Sequence, residues 1–323
     1  MARRAVGSNQ YKTRPGLGGS VAGPDLLTQA TGSKIASLRC GQVWGGKCSA
    51  LVQGPEWSHG RHGVCGNRNA IEVGPDCPAQ VLEQLACFRD SEVMQAVAQH
   101  PRCPPDTLDL LAQGDDFAVL ERVAQNPRTP PATLHRLAQD ENIWVRYAVA
   151  GSAYCPSGLL QQLAQDPEDL VRDAVAQNRA CPDEAAQKLA DDPDEGIRRK
   201  MAANPRAPHA VLQQLAHDPH WKVREMVAGR FRCPAELLQL LAQDSSVWVR
   251  KKVAQHSYCP AEALEILARD SSRDVRGLVA NNLGCPPHVV AQLLGDEEPS
   301  IRKAARQHHN LPEEYRALHR VAQ

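Results

Sequence analysis

The chain has 323 residues, no net charge between 37 basic and 37 acidic side chains, and aromatic residues at only 4%. This length allows about two domains, and the shortage of Phe, Trp and Tyr excludes a large core of ordinary composition, because such cores rely on aromatic side chains for buried area. The neutral charge balance disfavours a general nucleic-acid binder, whose affinity comes from neutralising phosphates. No run approaches the roughly 18 consecutive apolar residues of a membrane span.

Residues 1–38 are predicted to form a disordered basic tail. The stretch is rich in Gly and Ser and has no hydrophobic periodicity, which is typical of chains that bury too little apolar surface to fold. Arg3 and Arg4 are followed by no apolar core, so no secretory signal is predicted. We therefore expect a cytoplasmic, reducing location, where thiols pack or bind metals rather than form disulfides. A salt-sensitive nucleic-acid contact is left open for this tail alone.

Residues 39–76 form a glycine-rich segment that contains Cys40, Cys48 and Cys65. Grouped thiolates select zinc or iron–sulfur clusters. Seven and sixteen residues separate these cysteines, so the segment has neither the paired knuckles of a zinc ribbon nor the close spacing of a ferredoxin. The abundant glycines allow backbone N–H groups to approach cluster sulfurs. The segment predicts a metal site and leaves the choice between iron–sulfur and zinc open.

From residue 77 onward the sequence repeats with a period of 26 residues. A proline recurs without insertion or deletion at positions 78, 104, 130, 156, 182, 208, 234, 260, 286 and 312. A leucine column, from Leu85 to Leu293, and a valine-rich column, from Val97 to Val279, keep the same register. Three columns in phase indicate a solenoid, with nine full repeats over 77–310 and a partial tenth over 311–323.

Each repeat is predicted to contain two short helices. The proline suits the first position of the first helix, where its missing N–H costs nothing. Asp-Pro pairs such as Asp166-Pro167 suit the start of the second helix, with Asp as the N-cap, and asparagines such as Asn178 suit its C-terminus. Nothing alternates with period two, so no sheet is predicted. The prediction is an all-α solenoid in which stability is shared between neighbouring repeats.

An arginine column also keeps the register of the repeat. It contains Arg146, Arg172, Arg198, Arg224, Arg250, Arg276 and Arg302. An Asp stands six residues before each of them, from Asp140 to Asp296, whereas Met94 and Leu120 occupy the arginine position in the first two repeats. We interpret the two columns as a structural Asp–Arg ladder, because half-buried charges need partners. The alternative, a basic stripe for an acidic ligand, is disfavoured because the aspartates neutralise it.

Seven of the eleven cysteines precede the repeated proline. Thr129 and Ala207 fill the same position, so it accepts a small side chain, and these cysteines are predicted to be packing residues. Subtracting them leaves four thiols as the metal ligands: Cys40, Cys48, Cys65 and Cys87. Cys77, which begins the first repeat, is the alternative fourth ligand, and the metal segment thus extends into that repeat.

The fourth repeat carries a family pattern. From Cys155-Pro156 to Asn178 it reads Cys-Pro, a Leu-Ala-Gln-Asp run, then Val-Arg-x-x-Val-Ala-x-Asn. Together with the Cys-rich segment ahead of the first repeat, this resembles leucine-rich repeat variant proteins that carry an N-terminal iron–sulfur domain, over about residues 38–323. The resemblance implies a right-handed superhelix of alternating α- and 3₁₀-helices without β-sheet. It also implies a [4Fe–4S] cluster held by four Cys, an association with nitrogen-fixing bacteria, and no settled enzymatic reaction.

The leading functional hypothesis is a non-enzymatic, monomeric scaffold that carries the cluster and presents the solenoid surface to an unidentified protein partner. The cluster would be structural, or serve electron transfer or redox and iron sensing. Alternatives are an oxidoreductase or other iron–sulfur enzyme, and a zinc-binding structural scaffold. No Gly-rich nucleotide loop supports an enzyme, and we find no common repeat position for His135, His217, His256 and His308. With 28 basic and 33 acidic residues from 77 onward, the solenoid is not expected to bind nucleic acid.

Overall fold

A computed structural model of the protein describes residues 52–53, 72–74, 76–88 and 90–316. The expectations for the tail over 1–38, and for Cys40, Cys48 and Cys65 as metal ligands, lie outside these residues. The repeats are described almost completely. Within them the chain is an all-helical solenoid of two-helix repeats, as the 26-residue period predicts.

Eighteen α-helices follow one another in the described part of the chain, two in each of nine repeats. The first helices are α1 Ala79–Ala86, α3 Pro105–Leu111, α5 Pro131–Leu137, α7 Ser157–Leu163, α9 Asp183–Ala190, α11 His209–Leu215, α13 Ala235–Leu241, α15 Ala261–Leu267 and α17 Pro287–Leu293. The second helices are α2 Ser91–Gln99, α4 Phe117–Gln125, α6 Ile143–Gly151, α8 Asp169–Gln177, α10 Glu195–Ala203, α12 Trp221–Ala228, α14 Val247–Ala254, α16 Arg273–Ala280 and α18 Pro299–Gln307. A further helical turn covers residues 313–316. None of these described helices combines the length and the apolar character needed to cross a bilayer.

The repeated proline stands one residue before each first helix rather than inside it. Pro156, for example, has φ −58° and ψ 142° and is the N-cap of α7. Its carbonyl accepts the N–H groups of Leu159 and Leu160 at 2.9 and 3.0 Å and so starts the helical hydrogen bonding. Proline fits because its fixed φ is pre-organised for this conformation and the position needs no N–H.

The second helices begin two residues later than the Asp-Pro pairs suggest. Asp194 is the N-cap of α10, and its carboxylate accepts the N–H of Ile197 at 3.2 Å. The repeated aspartate two residues earlier, Asp192, instead accepts the N–H of Asp194 at 2.9 Å and closes the turn between the two helices. The prediction that the repeated aspartate is itself the N-cap is therefore wrong. Its remaining lone pairs are available for a partner outside its own repeat.

Leucine, valine and alanine columns fill the space between the two layers of helices. Leu163, Val175 and Ala176 of the fourth repeat are at most 3% exposed, and their counterparts in neighbouring repeats extend one continuous core. Both helices of a repeat are α-helices. Three-residue hydrogen bonds of the 3₁₀ type occur where the first helix ends, as between the N–H of Asp166 and the carbonyl of Leu163 at 3.1 Å. The small aliphatic side chains let the two layers pack closely. This core has little room for large rings, which explains the low aromatic content of the chain.

The two helical layers are unequal. Second helices of neighbouring repeats lie closer together than first helices do. In a curved stack the elements on the inner side are more crowded, so the second helices form the inner row of the superhelix. We call them the inner helices and the first helices the outer helices. Side chains on the open side of the inner helices therefore share one elongated surface.

Two short strands precede the first repeat. β1 Val52–Gln53 and β2 Glu72–Val73 pair antiparallel, with Val52 opposite Val73. The sequence pattern predicted no sheet, because two-residue strands are too short to show alternation. Directly after β2, the Gly74 carbonyl accepts the Cys77 N–H at 3.0 Å and faces His100 Nε2 at 3.1 Å. Gly74 precedes His100 by one repeat length, so the segment ahead of the solenoid continues its register.

Candidate interaction surface

The arginine column joins each repeat to the next. Nε and Nη2 of Arg146 donate to the two carboxylate oxygens of Asp166 at 2.8 and 3.0 Å, and Nη1 donates to the Asp140 carbonyl at 2.8 Å. Five further pairs repeat this geometry: Arg172–Asp192, Arg198–Asp218, Arg224–Asp244, Arg250–Asp270 and Arg276–Asp296. We call these six pairs the Asp–Arg ladder.

The ladder is largely withdrawn from solvent. Its arginine side chains are 9–15% exposed and its aspartates 4–7%. Hydrogen bonding to the carboxylate raises the pKa of each ladder arginine further above its ordinary value, as for Arg198 beside Asp218. With the guanidinium groups occupied on both sides, the column offers no open stripe for an acidic ligand. Arg302 is different, because its described contacts are the carbonyls of Asp296 and Glu297 at 2.7 and 2.8 Å.

A second set of contacts joins the C-terminal ends of the inner helices. Nδ2 of Asn178 donates to the carbonyls of Ala150 and Ser152 in the preceding repeat at 2.7 and 2.9 Å, while its Oδ1 accepts the Ala180 N–H at 2.8 Å. Asn126, Asn204 and Asn282 make the same contacts. These asparagines lie at helix ends, as predicted, and their side chains also link neighbouring repeats. We call this set the carbonyl ladder.

Histidines replace asparagine at three positions of the carbonyl ladder. Nε2 of His100, His256 and His308 lies 3.1, 2.7 and 3.0 Å from a carbonyl oxygen one repeat earlier. Each Nδ1 accepts a backbone N–H two residues later, so this network assigns the neutral Nε2–H tautomer. Desolvation lowers the pKa of His308. The prediction that the histidines share no repeat position is therefore wrong for His256 and His308, which occupy the same one.

Arg230 takes the same position in the sixth repeat. Its Nη1 donates to the carbonyls of Ala202 and Asn204, and its Nε is buried without a hydrogen-bond partner among the described residues. Burial lowers the pKa of this guanidinium. A charged side chain therefore replaces a neutral amide in the carbonyl ladder, at some cost in desolvation.

The cysteine column is part of the core. Cys103, Cys155 and Cys285 are at most 5% exposed. Burial raises the pKa of each of these three thiols to about 12, and it raises those of Cys181 and Cys233 to about 11. These thiols stay protonated at neutral pH and are shielded from solvent, so they are poor nucleophiles. Cys77 is 1% exposed and belongs to the same core.

Cys87 lies in a different environment from the column. It caps the C-terminus of α1, is exposed, and its Sγ lies 3.5 Å from the Glu83 carbonyl oxygen. Within the described residues, no three His, Cys, Asp or Glu side chains form a group that could hold a metal ion. The structure thus separates the two candidates for a fourth ligand by accessibility, with Cys87 open and Cys77 buried.

This difference predicts unequal thiol reactivity. In chelator-treated protein Cys87 is expected to react with Ellman's reagent within minutes, because it is exposed. The buried column thiols are expected to react only when the solenoid unfolds. Cys87→Ser should remove one fast-reacting thiol, whereas Cys155→Ala should remove none. Fast labelling of Cys155 in the folded protein, mapped by mass spectrometry, would contradict the burial of the column.

The open side of the inner helices carries exposed aromatic and apolar side chains. In the third and fourth repeats Trp144, Tyr147 and Leu170 are 50%, 38% and 41% exposed, and the rings of Trp144 and Tyr147 meet edge to face. In the seventh repeat Trp248 is 54% exposed and stacks on Trp221, with ring centroids 6.3 Å apart. Large aromatic side chains left in solvent at the same face are typical of protein-binding surfaces.

The two aromatic groups differ in charge. Around Trp144 the inner helices carry Glu121 and Asp173 together with Arg122. Around Trp248 they carry mostly cations, namely Arg199, Lys200, Lys222, Lys251 and Lys252. The Lys251 ammonium lies 5.0 Å from the Trp248 ring centroid and 3.0 Å from an Asp274 carboxylate oxygen. We call the surface of α10, α12 and α14 the basic–aromatic surface.

A shallow groove of about 380 Å³ adjoins the basic–aromatic surface. It runs across α14, α16 and α18. Its lining residues are Lys251, Gln255, Asp274, Gly277, Leu278, Asn281, Ser300, Ile301 and Ala304. Gly277 creates part of the space, and a Cβ added there would meet only Ile301 Cγ1 at 3.8 Å. The wall is apolar along Leu278, Ile301 and Ala304.

Comparison with solved structures supports the architecture. A leucine-rich repeat variant with a novel repetitive structural motif is 24% identical, over 69% of this chain and 88% of that protein, with a TM-score of 0.53. The Escherichia coli protein YibA is 16% identical over 71% of this chain and 92% of its own, with a TM-score of 0.36. No family model matches the chain, and no curated protein does. The first likeness shows that this chain has the helical fold of a leucine-rich repeat variant.

Proposed function

We propose that this protein is a non-enzymatic scaffold that binds a protein partner along its inner helices and carries a [4Fe–4S] cluster at its N-terminal end. Cys40, Cys48, Cys65 and Cys87 hold the cluster in this proposal. Its cytoplasmic location, its monomeric state and its link to nitrogen fixation follow from the sequence pattern and the family resemblance, and they belong to the same proposal.

The two groups of exposed aromatic side chains on the inner helices are the observation that carries the scaffold role. The charges of the Asp–Arg ladder are paired within the solenoid, and the leucine, valine and cysteine columns are almost entirely buried. Trp144 and Trp248 have no role in this internal packing, yet about half of each side chain is exposed. Exposed tryptophans are frequent anchors of protein interfaces. An extended solenoid surface suits a partner that lies along several repeats.

The accessible thiol of Cys87 supports the cluster. Iron–sulfur clusters need thiolate ligands that the protein can present to the metal. Cys87 is exposed at the end of α1, whereas Cys77 has the buried position that Ala207 fills elsewhere in the chain. Met94 and Leu120 replace the ladder arginine in the two repeats nearest this end. Leu120 is buried in the stack, whereas the half-buried Met94 can pack against an apolar surface at that edge. When bound, the cluster supplies one-electron redox chemistry or a structural cross-link.

Anaerobic purification of the whole chain tests the cluster. We expect about four iron and four sulfide per chain, with the broad visible absorbance and, after reduction, the paramagnetic resonance signal of a [4Fe–4S] centre. Cys87→Ser should lower the iron and sulfide content at least severalfold. Cys77→Ala is the matched control and should retain both, because alanine already fills this repeat position at Ala207.

The result that overturns the cluster proposal is one zinc and no sulfide per chain. Loss of iron in Cys77→Ala with retention in Cys87→Ser would instead exchange the fourth ligand. Circular dichroism at 222 nm should stay unchanged in both variants, since the described helices pack through their own core.

A further inference from the structure

The basic–aromatic surface differs in charge from the solenoid that carries it. From residue 77 onward the chain has 28 basic and 33 acidic residues, so this region as a whole has a small net negative charge. On α10, α12 and α14 the sign is reversed, because the open side presents Arg199, Lys200, Lys222, Lys251 and Lys252. A local reversal of charge on a folded protein steers and selects a partner of the opposite sign.

We propose that this surface, together with the adjoining groove, binds an acidic peptide segment of the partner protein. The carboxylates of the segment pair with the lysines of α10, α12 and α14. A large apolar side chain of the segment enters the groove against Leu278, Ile301 and Ala304. This inference rests on the proposed scaffold function and specifies its partner and its site.

The tryptophans give the surface its apolar contact area. Trp248 exposes 54% of its side chain, and Lys251 lies over its ring at 5.0 Å. Lys222 lies in the same way near Trp221, 5.9 Å from the ring centroid. The Lys222 ammonium is thereby kept close to the surface while it remains open to a carboxylate. The Lys251 ammonium already pairs with Asp274 at 3.0 Å, so a carboxylate of the segment would share it with Asp274. A bound acidic residue would contact a lysine ammonium and the neighbouring tryptophan ring together.

Lys252 is positioned by a glycine in the neighbouring repeat. A Cβ on Gly229 would lie 2.6 Å from Lys252 Cε, so the lysine stem lies directly on the backbone of α12's C-cap. The stem is therefore packed while the exposed end reaches solvent. Packing of this kind reduces the entropy that a lysine loses when it forms an ion pair.

The length of the site matches a short peptide. Helix layers lie about 8–10 Å apart, so the four intervals from α10 to α18 span roughly 32–40 Å. An extended chain advances about 3.3 Å per residue, and about 10–12 residues therefore cover the surface and the groove. The segment need not be folded beforehand, because an elongated surface binds an extended chain over its whole length.

A nucleic acid fits the same surface less well. Glu225 and Asp274 lie among the lysines, and each would repel a phosphate backbone. Trp221 and Trp248 stack on each other at 6.3 Å, so the faces between them are closed to a base. The surrounding solenoid is acidic, which weakens the long-range attraction that nucleic-acid binding needs.

Selection from a display library of random peptides of about twelve residues tests the proposal, with the full-length, cluster-loaded protein as bait. We expect the enriched peptides to be rich in Asp and Glu and to share one large apolar residue. Fluorescence anisotropy with one labelled peptide then compares variants. Lys222→Glu/Lys252→Glu should weaken binding at least tenfold, and Trp248→Ala and Gly277→Leu should do so about fivefold or more. Gly277→Leu fills the groove at a position where the neighbouring atoms leave room.

Matched controls separate this surface from the rest of the solenoid. Leu110 is similarly exposed, at 49%, but lies on the outer helix α3, so Leu110→Ala should leave affinity within twofold. Lys188→Glu/Arg269→Glu makes the same change in net charge on α9 and in the turn after α15, away from this surface, and should also have little effect. Raising the salt concentration should weaken binding of the wild type more than that of Lys222→Glu/Lys252→Glu.

The outcomes distinguish failure of the acidic-peptide site from failure of the scaffold function. If the enriched peptides bind Trp248→Ala and Lys222→Glu/Lys252→Glu as tightly as they bind the wild type, the acidic-peptide site is overturned, while the scaffold function stays intact. A set of peptides without acidic enrichment does the same. Failure of any peptide to bind specifically to any variant overturns the scaffold function as well. Tighter binding of labelled oligothymidine, lost in Lys222→Glu/Lys252→Glu, would replace the peptide by a nucleic acid.

Discussion

Replacing Arg198 by Ala should lower the free energy of unfolding by about 3–5 kcal/mol. The Asp218 side chain is only 4% exposed, and without Arg198 its charge is left unpaired in a poorly solvated position. The carbonyl of Asp192 also loses its donor, which Arg198 Nη1 supplies at 2.7 Å. Because this pair joins the fifth and sixth repeats in the middle of the stack, we expect urea unfolding followed at 222 nm to separate into two transitions.

Two further variants identify the cause of this loss. Arg302→Ala removes hydrogen bonds to two carbonyls but leaves no described carboxylate unpaired, so it should cost only about 1 kcal/mol. Arg198→Met/Asp218→Asn removes the charge of both partners while the amide oxygen can still accept the His220 N–H, and it should recover most of the stability. Equal destabilisation by Arg198→Ala and Arg302→Ala would show that the buried charge is not the reason.

Alkaline pH is expected to destabilise this solenoid steeply. Burial raises the pKa of the column thiols from 9.0 to about 11 for Cys181 and to about 12 for Cys259. Above pH 9 the unfolded chain therefore releases thiol protons that the folded chain retains. The unfolded state then binds fewer protons, so stability falls as the pH rises, by up to about 1.4 kcal/mol per thiol and pH unit. The measurement is urea unfolding at pH 8, 9 and 10.

A column without thiols is the control for this pH dependence. Alanine is tolerated at this position in the sixth repeat, as Ala207. The variant carries alanine at six positions: Cys103, Cys155, Cys181, Cys233, Cys259 and Cys285. It should lose at least several kcal/mol less stability than the wild type between pH 8 and 10. Parallel slopes for the two proteins would show that lysine and tyrosine titration, not the thiols, governs alkaline unfolding.

The repeat could be predicted from the sequence because the same packed position recurs in each of nine repeats and requires a similar side chain each time. Pro156, Leu163 and Val175 recur at the same spacing, and their positions in the structure follow directly from that register. The direction of a polar contact is a different matter. Spacing alone links Arg146 to Asp140 in its own repeat, whereas the side chain reaches Asp166 in the next one. The distance along the chain does not reveal that an arginine at this helical position points toward the following layer.

The carbonyl ladder was only half visible in the sequence. The repeat pattern predicts its asparagines as helix ends, but it does not indicate the role of His256 and His308, although both lie a whole number of repeats from Asn126. Histidine and asparagine look unrelated until the structure shows that each supplies an N–H to a carbonyl of the preceding repeat. The basic–aromatic surface was invisible for another reason: Trp248 and Lys251 vary from repeat to repeat, and only the fold places them side by side.

From α8 to α16 the two ladders hold each inner helix at both of its ends, one through paired charges and the other through backbone carbonyls. An attachment at two points resists rotation of one repeat against the next as well as their separation. The stack therefore resists twisting, and the spacing between neighbouring inner helices is fixed along its inner surface. A long partner whose own repeat spacing differs from that of the solenoid cannot stay in register over many repeats, so the rigidity of the solenoid itself limits which long partners it can bind along its length.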